Sequence, residues 1–143
     1  MSSDRVANDE LLYRSVTRDV GFRDENGKRR PGSQAFADRQ RKPSVDRAKR
    51  CNNDPTRTQM SPTDSVVSIF AYEVRGITNI VGRDEHGQEY PYAIDVIPDP
   101  RPDNPAHALI VAAPPFAKNG GFKKLLGLLA RLAVVALHPP EDG

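Results

Sequence analysis

The chain has 143 residues, enough for one ordinary domain, and we treat 1–143 as a single domain. A hydrophobic content of 37%, 13 prolines and no tryptophan predict a modest core with many turns. The lone Cys51 excludes an internal disulfide framework, and the polar first residues show no apolar signal segment. Arg131 interrupts the longest apolar run, 125–137, which is shorter than the roughly 20 residues of a membrane span. We therefore expect a cytoplasmic protein without a membrane span.

The formal net charge of +2 hides an uneven distribution. Lys and Arg exceed Asp and Glu in residues 1–60, and the reverse holds in 61–143. The basic excess concentrates between Lys28 and Arg50, a pattern that suits phosphate or an acidic partner as well as an ordinary solvated surface. If this stretch binds nucleic acid, its contacts are expected from Arg39, Arg41 and Lys42.

The first 62 residues predict a loop-rich, basic region. A polar pair at 8–9 is a suitable cap for a short helical turn over 10–13, and the sequence of 24–28 is typical of a tight turn. Ser44 is a suitable N-cap for a short helix over 45–50.

Residues 63–143 predict a strand-rich core. β-branched and aromatic residues favour a strand over 65–74 and further strands over 77–81 and 90–97. The four prolines of 98–105 exclude regular structure there, because each removes a backbone donor. A further short apolar run, 106–112, is typical of another strand.

The strongest predicted element is a C-terminal helix beginning near Phe122, where apolar residues recur at helical spacing as far as position 136. A helix this apolar packs across a sheet or against a partner, and the candidate contact residues are Phe122, Leu125, Leu129 and Leu132. The order of elements predicts an α+β fold: a small, mostly antiparallel sheet with the C-terminal helix on one face and a loop-rich N-terminal region.

Candidate functional residues are few, and no catalytic residue is assigned. His107 begins a predicted strand beside the proline-rich segment, where it could act as an acid, a base or a phosphate donor, or simply brace the loop. One cysteine and three widely spaced histidines give no metal-ligand pair, and no phosphate-binding loop or cofactor motif is present. Arg14 and Arg47, with Asp46, are candidates for an anion site or for internal ion pairs.

Three short motifs, Leu12-Tyr13-Arg14, Ser44-Val45-Asp46-Arg47-Ala48 and Asn104-Pro105-Ala106-His107-Ala108, resemble a loosely defined set of small uncharacterised bacterial proteins. The resemblance covers most of the chain in order and implies no established activity. It implies that the polar residues of the motifs gather in one place, namely Arg14, Asp46, Arg47 and His107.

The small size, the charge asymmetry and the apolar helix favour a non-enzymatic accessory or interaction protein acting with a larger macromolecular partner, most simply another protein, in a bacterial cell. One alternative is a small enzyme or nucleotide-handling protein whose anion site uses Arg14, Arg47 and His107. Another is a nucleic-acid binder that uses residues 28–50. The sequence does not indicate an oligomeric state.

Overall fold

A computed structural model of the chain describes residues 5–17, 22–25, 28–117 and 119–137. The strands are Leu11–Val16 (β1), Phe22–Glu25 (β2), Lys28–Pro31 (β3), Ser44–Arg47 (β4), Ser65–Phe70 (β5), Val81–Arg83 (β6), Glu89–Pro91 (β7), Ala93–Pro98 (β8), His107–Ala113 (β9) and Val134–Leu137 (β10). The α-helices are Ala71–Arg75 (α1) and Asn119–Leu132 (α2). Short 3-10 helices span Ser33–Phe36, Ala48–Cys51 and Pro55–Arg57.

The fold is α+β, as the sequence predicts. Six strands form one sheet in the order β10-β5-β1-β4-β9-β8, and every neighbouring pair is antiparallel. Two separate hairpins, β2-β3 and β6-β7, complete the strands of the described residues. Because β1 and β4 lie in the middle of the sheet, the strand-rich core extends beyond residues 63–143 into the N-terminal region.

Helix α2 covers one face of the six-stranded sheet with its apolar side. The side chains of Phe122, Leu125 and Leu129 are buried in the main hydrophobic cluster, and Leu132 packs against it half-buried. Burial of these side chains provides much of the stabilisation of the fold. The predicted helix face therefore packs inside the molecule, and a partner contact by these four residues stays a prediction.

The opposite face of the sheet, which carries Tyr13, does not pack against α2, and we call it the open face. Alternation along β1 directs Leu12 and Val16 into the main cluster under α2, whereas Tyr13 belongs to a second, smaller cluster with Ala48 and Val66. Of the helices in the described residues, none is long and apolar enough to cross a membrane.

Five local predictions differ from the structure, and the first is the strand predicted over 77–81, which is irregular as far as Ile80. Residues 44–47 form a strand, not the start of a helix, because β4 is paired on both sides by β1 and β9. The segment 10–13 is predicted to form a helical turn, but most of it belongs to β1 and pairs with β5. Tertiary pairing therefore overrides the local capping signals at both places.

The other two differences lie at element ends. The strand predicted over 65–74 stops at Phe70 and continues as α1, and the C-terminal helix ends at Leu132 rather than beyond 136. Ala133 donates the last helical hydrogen bond, and the β-branched pair that follows joins the sheet edge as β10. The turn residues Asn26 and Gly27 lie outside the described residues.

Candidate functional site

A row of polar side chains crosses the open face of the sheet. The register pairs Tyr13 of β1 with Asp46 of β4, and Asp46 in turn with His107 of β9. Backbone hydrogen bonds join residues 47 to 106 and 110 to 43, so the pair Asp46–His107 between them is a non-hydrogen-bonded one. Side chains approach most closely at such pairs, and the three polar groups therefore stand side by side on three adjacent strands.

Asp46 is held at the centre of the row by two side chains from flanking loops. Its Oδ1 accepts a hydrogen bond of 2.8 Å from Asn104 Nδ2, and its Oδ2 accepts one of 2.9 Å from Thr58 Oγ1. A buried carboxylate costs free energy unless its oxygens are satisfied, and here each oxygen has a donor. Asp46 therefore anchors both loops to the sheet.

His107 is oriented by Asp99. The Nδ1 atom lies 3.0 Å from Asp99 Oδ2 and 3.2 Å from the Asp99 carbonyl oxygen, both acceptors, so Nδ1 carries the proton of the neutral ring. Arg101 donates to the same Asp99 Oδ2 at 3.2 and 3.3 Å. Within the described part of the chain Nε2 of His107 makes no hydrogen bond, which leaves its lone pair available as an acceptor or general base.

These side chains line a cavity of about 460 Å³. This is within the size range of small-molecule sites. Its walls come from β1, β4 and the loops at 58–60 and 101–107, and the second loop is fixed to the sheet by Asn104. The first is fixed through Ser15, whose Oγ accepts a 3.0 Å hydrogen bond from Met60 N–H. The lining residues are Tyr13, Arg14, Ser15, Ser44, Val45, Asp46, Thr58, Met60, Arg101, Asp103, Asn104 and His107.

Tyr13 provides a second polar group without a protein partner. Its hydroxyl makes no hydrogen bond to any described residue and is accessible to solvent, although the side chain as a whole is almost fully buried. Burial raises the pKa of Tyr13, and the neighbouring Cys51 and Asp54 raise it further. The phenol therefore stays protonated at neutral pH and is available as a hydrogen-bond donor.

Arg14 lies at the rim of the cavity, but its guanidinium is already used. Its Nε, Nη1 and Nη2 donate to the carbonyl oxygens of Ala35, Ser44 and Ala37 at 2.7, 2.7 and 2.8 Å. Burial lowers the pKa of Arg14, and the charge of Asp38 partly offsets that effect. Arg14 therefore has a structural role, because its hydrogen bonds hold the 3-10 helix Ser33–Phe36 against β4.

Arg47 points away from the cavity. It is buried on the α2 face of the sheet, where its Nε and Nη2 donate to Oε1 and Oε2 of Glu10, each at 2.8 Å. Adjacent residues of a strand point to opposite faces, so Asp46 and Arg47 cannot share a site. The predicted gathering therefore holds for Asp46 and His107, which stand side by side on the open face. Arg47 points to the α2 face, and so does Arg14, which borders the cavity but directs its guanidinium to the ring of Phe36.

The proposed nucleic-acid residues lie elsewhere. Arg39 and Lys42 are exposed and Arg41 is half-buried, all in the loop before β4. Asp38 Oδ2 accepts the backbone N–H groups of Gln40 and Lys42 at 3.0 Å each, which gives this loop its shape. None of the three basic residues lines the open-face cavity.

No protein-family model, curated protein or solved structure matches the chain. The resemblance to small bacterial proteins therefore continues to rest on the three short motifs. Among the described residues there is also no group of three or more His, Cys, Asp or Glu side chains that could hold a metal ion.

Sequence reasoning missed several members of the site, namely Tyr13, Ser15, Thr58, Met60, Arg101 and Asp103. A signal existed for the first two. Once 11–16 is recognised as a strand, alternation places Tyr13 and Ser15 on one face together. The loop residues had no such signal, because their position depends on hydrogen bonds to Asp46 and Ser15.

Proposed function

We propose that the protein binds a small polar molecule in the open-face cavity, with His107 Nε2 as the acceptor of a ligand proton or hydrogen bond. The observation that carries the proposal is that His107 and Tyr13 line the same cavity, where neither His107 Nε2 nor the Tyr13 hydroxyl hydrogen-bonds to a described residue and both are accessible to solvent. A ligand that donates to the histidine and accepts from the phenol satisfies both groups.

The charges around the cavity define the class of ligand. Two cationic side chains, Arg14 and Arg101, and two carboxylates, Asp46 and Asp103, line it. Arg14 donates to three carbonyl oxygens and Arg101 forms an exposed ion pair with Asp99, so the positive charge at the cavity is already matched by nearby acceptors. This balance favours a neutral or zwitterionic polar molecule over the phosphate-bearing ligand of the Arg14–Arg47–His107 hypothesis.

The expectation of an accessory protein with a larger partner stays a prediction, with less support than the sequence suggested. It rested in part on the apolar face of α2, which is buried within the chain. The location in a bacterial cytoplasm likewise stays a prediction.

The proposal can be tested by NMR with side-chain-labelled histidine and a panel of neutral and zwitterionic molecules: nucleosides, amino acids and sugars. We expect at least one member to shift the His107 Nε2 resonance and the Tyr13 ring signals. His107→Gln and Tyr13→Phe should each weaken that binding by about tenfold, the value of one good hydrogen bond to a ligand.

His86→Gln is the matched control, because His86 is exposed in the turn between β6 and β7 and should leave binding unchanged. Binding that survives His107→Gln at full strength, or a panel with no effect on His107, would refute the proposal.

A further inference from the structure

A second surface, on the other side of the sheet, carries exposed positive charge beside α2. Lys123, Gly127 and Arg131 are spaced by four residues and so form one row along the helix. Two neighbouring clefts border this row, one on each side of the 3-10 helix Ser33–Phe36. We call the row and the two clefts the basic strip.

The larger cleft of the basic strip, of about 490 Å³, has an arginine on each wall. Arg30 comes from β3 and Arg131 from the last turn of α2, and both are exposed. No carboxylate is among the residues that line this cleft, and neither arginine pairs with a carboxylate among the described side chains. Gly127 forms its floor, where an added Cβ would meet nothing within 4 Å.

The second cleft, of about 380 Å³, extends the positive charge towards the start of α2. Arg39 and Lys123 line it together with one carboxylate, Asp38, whose Oδ2 is already occupied by two backbone N–H groups. Lys123 and Arg131 are eight residues apart, about 12 Å along a helix axis. The two clefts of the strip therefore hold four exposed cations, Arg30, Arg39, Lys123 and Arg131, against one carboxylate.

We propose that the basic strip binds nucleic acid through the phosphate backbone, without reading the bases. A group of exposed cations attracts the closely spaced phosphates of a nucleic-acid strand, and arginines bind phosphate through bidentate hydrogen bonds. No aromatic side chain is exposed along the strip for stacking on bases, so recognition is independent of sequence.

The same surface is a poor match for a membrane or an acidic protein. Membrane-bound surfaces insert apolar side chains beside their cations, and protein interfaces are anchored by aromatic or aliphatic residues. The large apolar side chains exposed in the described residues are Met60, Phe70, Tyr72, Val81, Ile97 and Val134, and none of them lines either cleft. Phe122 and Leu126 also line the second cleft, but both are buried in the main cluster, so the exposed cations are the main feature that the strip offers a partner.

This inference places the nucleic-acid contacts differently from the sequence. Only Arg39 of the three residues predicted there lines the strip, whereas Arg30, Lys123 and Arg131 come from β3 and α2. The contribution of α2 depends on the packing of this helix against the 3-10 helix Ser33–Phe36, which the sequence does not indicate.

The test measures fluorescence anisotropy of a labelled short duplex and a labelled single strand of arbitrary sequence. With four phosphates neutralised, duplex affinity should fall about 100-fold between about 50 mM and about 200 mM salt. Arg30→Gln and Arg131→Gln should each weaken binding several-fold and flatten the salt slope by about one. Gly127→Glu, which adds a carboxylate to the floor of the cleft, should weaken binding at least as much.

Two matched controls distinguish binding at the basic strip from a general effect of the protein's net charge. Arg83→Gln removes one exposed arginine from β6, and Gly127→Ala fills the same floor position without charge; both should bind like the wild type. The proposal fails if no binding occurs at about 50 mM salt, or if Arg83→Gln weakens binding as much as Arg131→Gln. It also fails if phosphatidylserine vesicles or polyglutamate bind as tightly and with the same loss in Arg131→Gln.

Discussion

Arg47 is the largest fully buried side chain in the described part of the chain, at 1% exposure. Its fork meets both oxygens of Glu10, and the backbone N–H of Ala7 donates to Glu10 Oε2 at 2.6 Å. The pair ties the segment before β1 to β4 across the sheet. Its neighbour Asp46 lies on the open face and hydrogen-bonds to Thr58 and Asn104. Two adjacent residues therefore stabilise opposite faces of the sheet.

Replacing Arg47 while Glu10 remains charged should destabilise the folded state. We expect Arg47→Met to lower the free energy of unfolding by about 3–5 kcal/mol, because it leaves the Glu10 carboxylate buried with only Lys49 nearby. Adding Glu10→Gln should restore part of the loss, since a neutral amide needs no counter-charge. Denaturant unfolding of both single variants and the double variant measures this coupling. Losses that simply add would show that the two side chains do not act together.

The same pair predicts a dependence of stability on pH. Burial alone would raise the pKa of Glu10, but hydrogen bonds from Arg47 and Ala7 and the charges of Arg47 and Lys49 outweigh it and hold the pKa below the ordinary 4.5. The folded state therefore binds its proton less readily than the unfolded state. The stabilisation is present above about pH 4.5 and is lost as the pH falls through the folded-state pKa.

Glu10→Gln removes the titrating group, so its free energy of unfolding should fall less steeply than that of the wild type between about pH 5 and pH 3. Unfolding in urea across this range compares the two slopes. Equal slopes would mean that other carboxylates, such as Asp95 beside Arg75, account for all of the acid sensitivity.

At the scale of elements, two glycines of α2 have opposite surroundings. An added Cβ at Gly127 meets nothing within 4 Å, whereas one at Gly121 would lie 2.9 Å from the ring of buried Phe116. Alanine is favoured over glycine inside a helix by about 0.5–1 kcal/mol. Gly127→Ala should therefore raise the melting temperature and Gly121→Ala should lower it. Two shifts of the same sign would contradict this assignment of space.

The sequence predicts those elements whose own side chains decide their structure. α2 and β9 follow from helical spacing and from a β-branched run, respectively, and the structure confirms both. β4 could not be predicted, because Ser44 carries a helix-capping signal and only the strands on either side favour the extended form. The same distinction applies to the candidate site. The sequence predicts His107 as a site residue from its position at the start of a strand. It does not predict Asp99 as the residue that orients His107, because that contact depends on how the proline-rich segment folds back.

At the scale of the whole molecule, the sheet separates two functional proposals. The cavity with His107 lies on the open face, and the basic strip lies beside α2 on the covered side. The basic residues of the N-terminal half do not form one positively charged surface. Arg14 and Arg47 do not contribute to such a surface, because they make internal hydrogen bonds and ion pairs. The exposed remainder of the basic stretch joins cations from α2, so the strip draws on both ends of the chain.

Cys51 offers a probe of how the whole fold opens. It is the one cysteine of the chain, is 4% exposed and closes the 3-10 helix Ala48–Cys51 directly after β4. Burial raises the pKa of its thiol, and the charge of Asp46 raises it further, so the reactive thiolate is scarce in the folded state. Labelling by an aromatic disulfide reagent should therefore be much slower in the native than in the unfolded protein.

If β4 opens only when the sheet unfolds, the labelling rate reports the global free energy of unfolding. Leu129→Ala truncates a fully buried side chain of α2 and should cost about 2–5 kcal/mol. Labelling of Cys51 in that variant should then be faster by a factor of about 30 or more, since each 1.4 kcal/mol is worth tenfold. Gly127→Ala should slow it slightly. Equal rates in the wild type and Leu129→Ala would show that residues 48–58 open independently of α2, and that the wall of the cavity formed by Thr58 moves without unfolding of the core.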